Sequence, residues 1–335
     1  MPPPPASASD AAALLGRNPL LQEIGRVAPD RLPWFLAQLD AIRRKPRMRG
    51  GTPPGGEPPL TPEERAALDA NPDLADAARV SPDPMARILR MMLDLTQRQV
   101  IGLIGGMGWE SSAEYPRLID QAARARPGGA PSARVLTRFF GSDEVEALQR
   151  AGRWNDAAAL VADAARRLKR DGADFFLLCN SAMHRMAEGV QAAVRIPLLH
   201  SADATAKRVK AEGHRRVGLL GTAPTMEQAF YKGRLRDRHG LDVLVPDDDR
   251  ERAEVHRVIC DELMQGRVEP KSRDAYRRAV ARLAGRGAEA VILGCTEITL
   301  LVGREDSSVP LFDATTIHAE AAVDRALAGR ERAAS

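Results

Sequence analysis

The chain has 335 residues, 44% of them hydrophobic, and 49 basic against 45 acidic side chains give a formal charge of +4. That is enough apolar material for one large or two ordinary cores, and charges so evenly interleaved give nucleic-acid binding little support. Three cysteines without C-x-x-C spacing argue against a disulfide framework and against a thiolate metal site. With no long apolar run and no leader-like pattern in Met1-Pro2-Pro3-Pro4-Pro5, the expected setting is a reducing cytoplasm, away from any membrane.

Residues 1–98 hold proline clusters, helix fragments and no convincing strand, so they read as a helical, partly disordered N-terminal extension. Asn18-Pro19 is placed to cap a helix carrying Leu20, Leu21 and Ile24. Thr61-Pro62-Glu63-Glu64 is a capping box with proline at the first helical position, and Ser81-Pro82 opens a third start. There Met85, Ile88, Leu89, Met92 and Leu95 recur at i, i+3, i+4, i+7, a stripe expected to dock on the catalytic body or on a second subunit. The run from Arg43 to Arg49 reads as a solvated helix end, and Gly50 to Gly56 as a flexible linker.

From Gln99 onward strands alternate with amphipathic helices, the pattern of mostly parallel sheets flanked by helices. Strands are expected at 100–104, 134–139, 174–179, 197–200, 216–220, 242–245, 290–294 and 310–312, with helices between them such as Asp156 to Arg170, Ala202 to Glu212, Glu254 to Met264 and Ala275 to Gly285. The halves echo one another. Ile101-Gly102-Leu103-Ile104-Gly105 is matched by Val217-Gly218-Leu219-Leu220-Gly221, and the run from Gly172 to Cys179 by the run from Gly287 to Cys295, with 74 residues from turn glycine to cysteine in both. The expectation is an α/β body of two pseudo-symmetric lobes, lobe 1 at about 99–204 plus 313–335 and lobe 2 at about 205–312, with a ligand cleft at the strand ends.

The turn from Gly102 to Gly108, through Met107, follows a strand and opens a helix, so its N–H groups could hold a carboxylate or phosphate. The G-x-G-x-x-G spacing of a dinucleotide fold is missing, and no nucleotide or other cofactor is expected. Cys295-Thr296-Glu297 ends an apolar strand and opens a helix, a setting expected to lower the thiol pKa, which makes Cys295 the strongest acid/base candidate. Cys260 lies inside a helical pattern and reads as core. Cys179-Asn180-Ser181 is the matching site, with two frames in conflict. Counting from the turn glycine pairs Cys179 with Cys295, but counting along the final strand pairs Asn180 with it. The local count is the better guide to side-chain direction, because a slip of one residue reverses the face. Asn180 and Ser181 would then donate hydrogen bonds to substrate. His184, four residues past Asn180, could share its face. Lys232 or Arg234 could anchor a carboxylate. His200 and Asp313 head capped helix starts, and His318 is a possible cleft residue.

These segments together resemble the aspartate/glutamate racemase superfamily, closest to its PLP-independent, broad-specificity amino-acid racemase branch. The likeness runs from about 99 to 328, through IGLIGGMGWESSAEYPRLI from Ile101, PLLHSADAT from Pro197, VGLLGTAPTMEQAFYKGRL from Val217, GAEAVILGCTEITLLV from Gly287 and PLFDATTIHAEAAV from Pro310. It implies a cofactor-free, metal-free isomerase, often a homodimer, acting on a small amino acid between two lobes. Cys295 matches one of the family's two acid/base residues, and Met107, Thr222, Lys232, Thr296 and His318 fall around its pocket. Where the family has its first acid/base residue this chain has Asn180, with Cys179 one position early. The leading expectation is a racemase or epimerase using Cys295 and, after a small loop shift, Cys179. The alternatives are a one-base decarboxylase or isomerase using Cys295 alone, and a binding protein for small carboxylates.

Overall fold

A computed structural model describes residues 8–44, 58–106, 109–126 and 133–328, which fall into two compact units, one ending at Arg98 and one beginning at Gln99. The first unit is helical: α1 (Ala8–Arg17), α2 (Pro19–Val27), α3 (Leu32–Arg43), α4 (Pro62–Asp69), α5 (Pro72–Val80) and α6 (Pro82–Gln97). Proline opens α2, α4, α5 and α6, where its missing N–H has no helical partner to lose. Thr61 forms the expected capping box with Glu64. The stripe of α6 is not left for another body. Met85, Ile88, Leu89 and Met92 are buried with Leu21, Ile24, Phe35, Leu39 and Leu74 inside this unit. The Leu95 side chain, Lys45 to Arg49 and the glycine-proline segment 50–56 lie outside the described residues, while Arg43 and Arg44 pair with Asp73 and Asp40.

This unit is an internal duplication. Asn18-Pro19 followed by Arg26-Val27-Ala28-Pro29-Asp30 recurs 53 residues later as Asn71-Pro72 followed by Arg79-Val80-Ser81-Pro82-Asp83, and α1 to α3 map onto α4 to α6 at that offset. Asn18 accordingly does not cap its own helix, as the local sequence suggested. Its Oδ1 accepts the Asp73 N–H of α5 at 3.2 Å, while the Asn71 Oδ1 accepts the Leu20 N–H of α2 at 2.8 Å. Each Nδ2 donates to the carbonyl four residues back, Leu14 and Ala67, at 2.7 Å. Both amides are buried, so truncating one strands its partners without water. Asn71→Ala is therefore expected to destabilise the unit by about 1–3 kcal/mol. Amide exchange measured across the full chain should quicken in α2 and α5 while the strands of the second unit stay unchanged.

The second unit begins with β1 (Ile101–Gly105), α7 (Trp109–Arg124), β2 (Val135–Phe139), α8 (Ser142–Arg150), α9 (Trp154–Arg170) and β3 (Phe175–Leu178), then α10 (Ala187–Ala193) and α11 (Ser201–Ala211). It repeats the theme with β4 (Arg216–Leu220), α12 (Ala223–Glu227), α13 (Arg234–His239), β5 (Asp242–Leu244), α14 (Asp249–Arg257), α15 (Pro270–Gly285), β6 (Ala290–Leu293), β7 (Leu311–Asp313) and α16 (Ala314–Leu327). Two parallel sheets result, ordered β2-β1-β3 and β5-β4-β6-β7. The expected strand at 197–200 is reduced to a bridge between Phe176 and Leu198, since Pro197 has no N–H to donate and His200 already caps α11. Helices cover both faces of the sheets at β1, β3, β4 and β6, which explains why those strands read as continuous apolar runs rather than alternating ones. Among the described residues no helix is long and apolar enough to cross a membrane.

Candidate active site

The register of the two central strands decides which residues face the cleft. Leu178 lies opposite Ile104 in the first sheet, and Leu293 opposite Leu220 in the second. The next residue in each lobe donates its N–H to that partner's carbonyl, Cys179 to Ile104 at 2.8 Å and Gly294 to Leu220 at 2.7 Å. One residue further, Asn180 (φ −145°, ψ 137°) and Cys295 (φ −142°, ψ 137°) each head a 3-10 turn, Ser181–Met186 and Thr296–Leu300. Asn180 is thus the first-lobe counterpart of Cys295, and Cys179 the counterpart of Gly294. The shared interval of 74 residues is a coincidence of loop and helix lengths, and the local count along the strand is the one that matches.

The side chains follow from that frame. Cys179 is fully buried among Ile101, Leu103, Tyr115, Phe175 and Ala319, with burial pushing its thiol pKa far up. It does not line the cleft, so the expected pair of thiols across one cavity is not formed. A cavity of about 630 Å³ instead has Asn180, Ser181, Ala182, Gln149 and Arg150 on its first-lobe side. Thr222, Thr225, Cys260, Met264 and the run Gly294 to Glu297 form the second-lobe side. The Ser181 hydroxyl donates to the Gly294 carbonyl at 2.7 Å and ties the two strand ends together.

Cys295 donates its thiol proton to Glu297 Oε2 at 2.9 Å. Burial and the Glu297 carboxylate push the thiol well above its usual range, and the Glu297 N–H offsets this only in part. The lowering expected from a helix N-terminus is therefore reversed, because a five-residue turn supplies a weaker field than an adjacent carboxylate. The thiol therefore holds its proton more tightly than a free cysteine does, with the Glu297 carboxylate as a built-in proton acceptor. Hydroxyls surround it: Thr296 bonds Thr315 at 3.0 Å, and Thr222 bonds Thr225 at 3.1 Å.

Cys260 is not core as its helical setting suggested. It sits half-buried on the cavity wall, where the chain widens over Val258–Glu262, with Sγ 3.5 Å from His256 Nδ1. Gln149 and Arg150 are further wall residues that the sequence reading passed over, and their position at the end of α8, just before the tight turn at Gly152, was the available signal. Lys232 lies half-buried in the turn Ala229–Gly233 and is not on this wall. Arg234 is held by Asp203 in a two-pronged bond at 2.6 and 2.7 Å. Met107 lies outside the described residues. In the same turn Gly106 adopts a φ of +112°, where a Cβ would meet the Phe140 backbone, and its N–H donates to Ser112 Oγ at 2.9 Å rather than facing an anion. Among the described residues no three His, Cys, Asp or Glu side chains converge as a metal would need.

His184 and His318 support the site from beneath. His184 Nδ1 donates to the Asn180 carbonyl at 3.1 Å and its Nε2 accepts the Ser201 N–H at 3.2 Å. His318 Nε2 donates to the Leu199 carbonyl at 2.9 Å, and its Nδ1 accepts the Tyr115 hydroxyl at 2.8 Å. Both rings are buried, His318 completely, so it is no cleft residue. Burial lowers their pKa values to about 3 for His184 and about 4 for His318. The unfolded chain binds these protons first, so the stability held above pH 6.5 is lost as pH falls towards 4. For His318 alone that loss is about 3 kcal/mol. A melting temperature that drops steeply between pH 6.5 and 4 is the expected result, and a flat profile contradicts it.

Comparison with known proteins places this geometry. The pattern of the Asp/Glu/hydantoin racemase family matches residues 104–322. Broad specificity amino-acid racemase RacX of Bacillus subtilis (strain 168) is 24% identical over 238 residues, 68% of this chain and 99% of that protein. A Yersinia pestis crystal structure carrying the provisional name Asp/Glu racemase shares 48% identity, covers 68% of this chain and 99% of its own, and superposes with a TM-score of 0.66. An aspartate racemase homologue from Pyrococcus horikoshii OT3 shares 31% with the same coverage and a TM-score of 0.61.

Proposed function

The chain belongs to the Asp/Glu/hydantoin racemase family, and on that premise we propose that it exchanges the Cα proton of a small amino acid without a cofactor, using the Cys295 thiol on one face, with the Asn180 amide set opposite it. The equivalence of Asn180 and Cys295 across the two lobes carries this reading. Glu297 takes the thiol proton. The Cys295 thiolate then removes the Cα proton, leaving a carbanion whose charge spreads into the substrate carboxylate as an enolate. Thr222, Thr225 and Thr296 are the hydroxyl donors for that charge, which is the costliest feature of the reaction.

Return of the proton from Cys295 restores the starting enantiomer. Inversion needs an acid on the opposite face, and a neutral amide at Asn180 does not ionise in the useful range. The activity is therefore proton exchange with retention, with racemisation the slower outcome. The broad specificity in the name of the Bacillus relative supports offering both acidic and small neutral amino acids. In heavy water the enantiomer whose Cα–H faces Cys295 should gain Cα deuterium at least about tenfold faster than it inverts, and the opposite enantiomer should exchange far more slowly. Inversion keeping pace with exchange would return the two-base reading, and no exchange with any of these substrates would remove the enzymatic one.

A further inference from the structure

We propose a second ligand site, for a small oxyanion of the phosphate class, in the seam where α11 and α13 meet the turn after Asn180. A cavity of about 340 Å³ there is lined by His184, Arg185 and His200 from the first-lobe segment and by Phe230, Arg234 and Arg238 from the second. An adjoining space of about 270 Å³ shares His200, Arg234 and Arg238. None of these residues lines the catalytic cavity.

His200 gives the seam its built character. It is 2% exposed, and its Nδ1 accepts the Ala202 N–H at 3.1 Å, which puts the ring proton on Nε2. Among the described residues that Nε2 has no hydrogen-bond partner, although the ring lines the cavity. That N–H is a donor left for a group in the cavity to use. The cations around it are incompletely used. Arg185 has no carboxylate partner among the described residues and stacks on Trp154, 3.9 Å from the ring centre. Arg234 is oriented by Asp203 through Nε and Nη2, which leaves Nη1 unbonded, and Arg238 reaches Glu188 only at 3.4 Å. The carboxylates on the wall do not cancel this array, since Glu188 is largely exposed and Asp237 is engaged by Arg236 at 2.7 Å. Three guanidinium groups and an imidazole N–H are all donors, and a tetrahedral oxyanion is the ligand that satisfies them together.

Such a ligand would also bear on catalysis. His184 lines this cavity and holds the Asn180 carbonyl, so occupancy touches the frame of a catalytic-cavity residue from behind. The test is calorimetric titration of inorganic phosphate into the full chain at pH 7.5, in a buffer free of other oxyanions. Saturable binding with a Kd below about 1 mM is expected. The double variant Arg185→Ala/Arg238→Ala should weaken it at least tenfold while melting at the unliganded wild-type temperature, and an amino-acid substrate should not displace it. No saturable heat up to ten times that concentration, heat unchanged in the double variant, or displacement by substrate would each overturn the site. Failure here leaves the Cα exchange experiment untouched, because the two share no residue.

Discussion

Cys295→Ala lowers Cα deuterium exchange by about 100- to 10,000-fold, the range over which a positioned acid/base group acts. The thiol and its bonded acceptor Glu297 both line the cavity, and without the sulfur only the carboxylate is left, two residues along the turn from the position assigned to the base. Cys179→Ala is the matched control. Its sulfur is enclosed by Ile101, Leu103 and Phe175, so exchange should stay at the wild-type rate while stability falls by about 1 kcal/mol from the space left behind. Mass spectrometry of the exchanged amino acid reads both variants directly. Equal losses in the two would mean that the cleft rearranges to admit Cys179, and the assignment of one thiol per active site would fail.

The alternation of strand and helix was legible because buried parallel strands are uninterrupted apolar runs, as in Phe175 to Leu178 and Ala290 to Leu293, and the seven strands fall within a residue of the expected bounds, whereas α14 and α15 begin five residues before the expected helix starts at Glu254 and Ala275. What escaped was set by contacts far apart in sequence. Asn18 sits in an ordinary capping position, and only the arrival of α5, more than fifty residues on, makes its Oδ1 the acceptor for Asp73. The apolar stripe of α6 looked unpartnered because its partners are spread over the short helices α2, α3 and α5, with those on α2 and α3 more than forty residues away in sequence. Cys260 follows helical spacing up to the point where the backbone widens and turns that side chain to the cavity, and a periodic reading has no means of seeing a change of pitch. The thiol of Cys295 lies on the cavity wall at the strand end where the sequence reading looked for it. The direction of its pKa shift was not legible, because the helix field is a generic feature whereas the Glu297 contact depends on side-chain rotamers.

Asn180→Cys converts exchange into racemisation. The substitution sets a thiol at the backbone position whose dihedral angles differ from those of Cys295 by no more than a few degrees, so the new sulfur enters the cavity from the opposite lobe. The loss is small, since the Asn180 Oδ1 caps the Ala182 N–H at 2.8 Å and a sulfur can accept the same bond weakly. The new thiol nonetheless lacks the acceptor that serves Cys295, because the residue equivalent to Glu297 in the first lobe is Ala182. The single variant should therefore raise the ratio of inversion to exchange by about tenfold under reducing conditions, and Asn180→Cys/Ala182→Glu should raise it further by restoring a proton acceptor. Chiral chromatography of a single enantiomer incubated with each variant gives the ratio. Retention as complete as in the wild type, in a variant whose new thiol reacts with a thiol reagent, would show that the first-lobe position does not face the reacting carbon, and the pseudo-symmetric account of the site would fall with it.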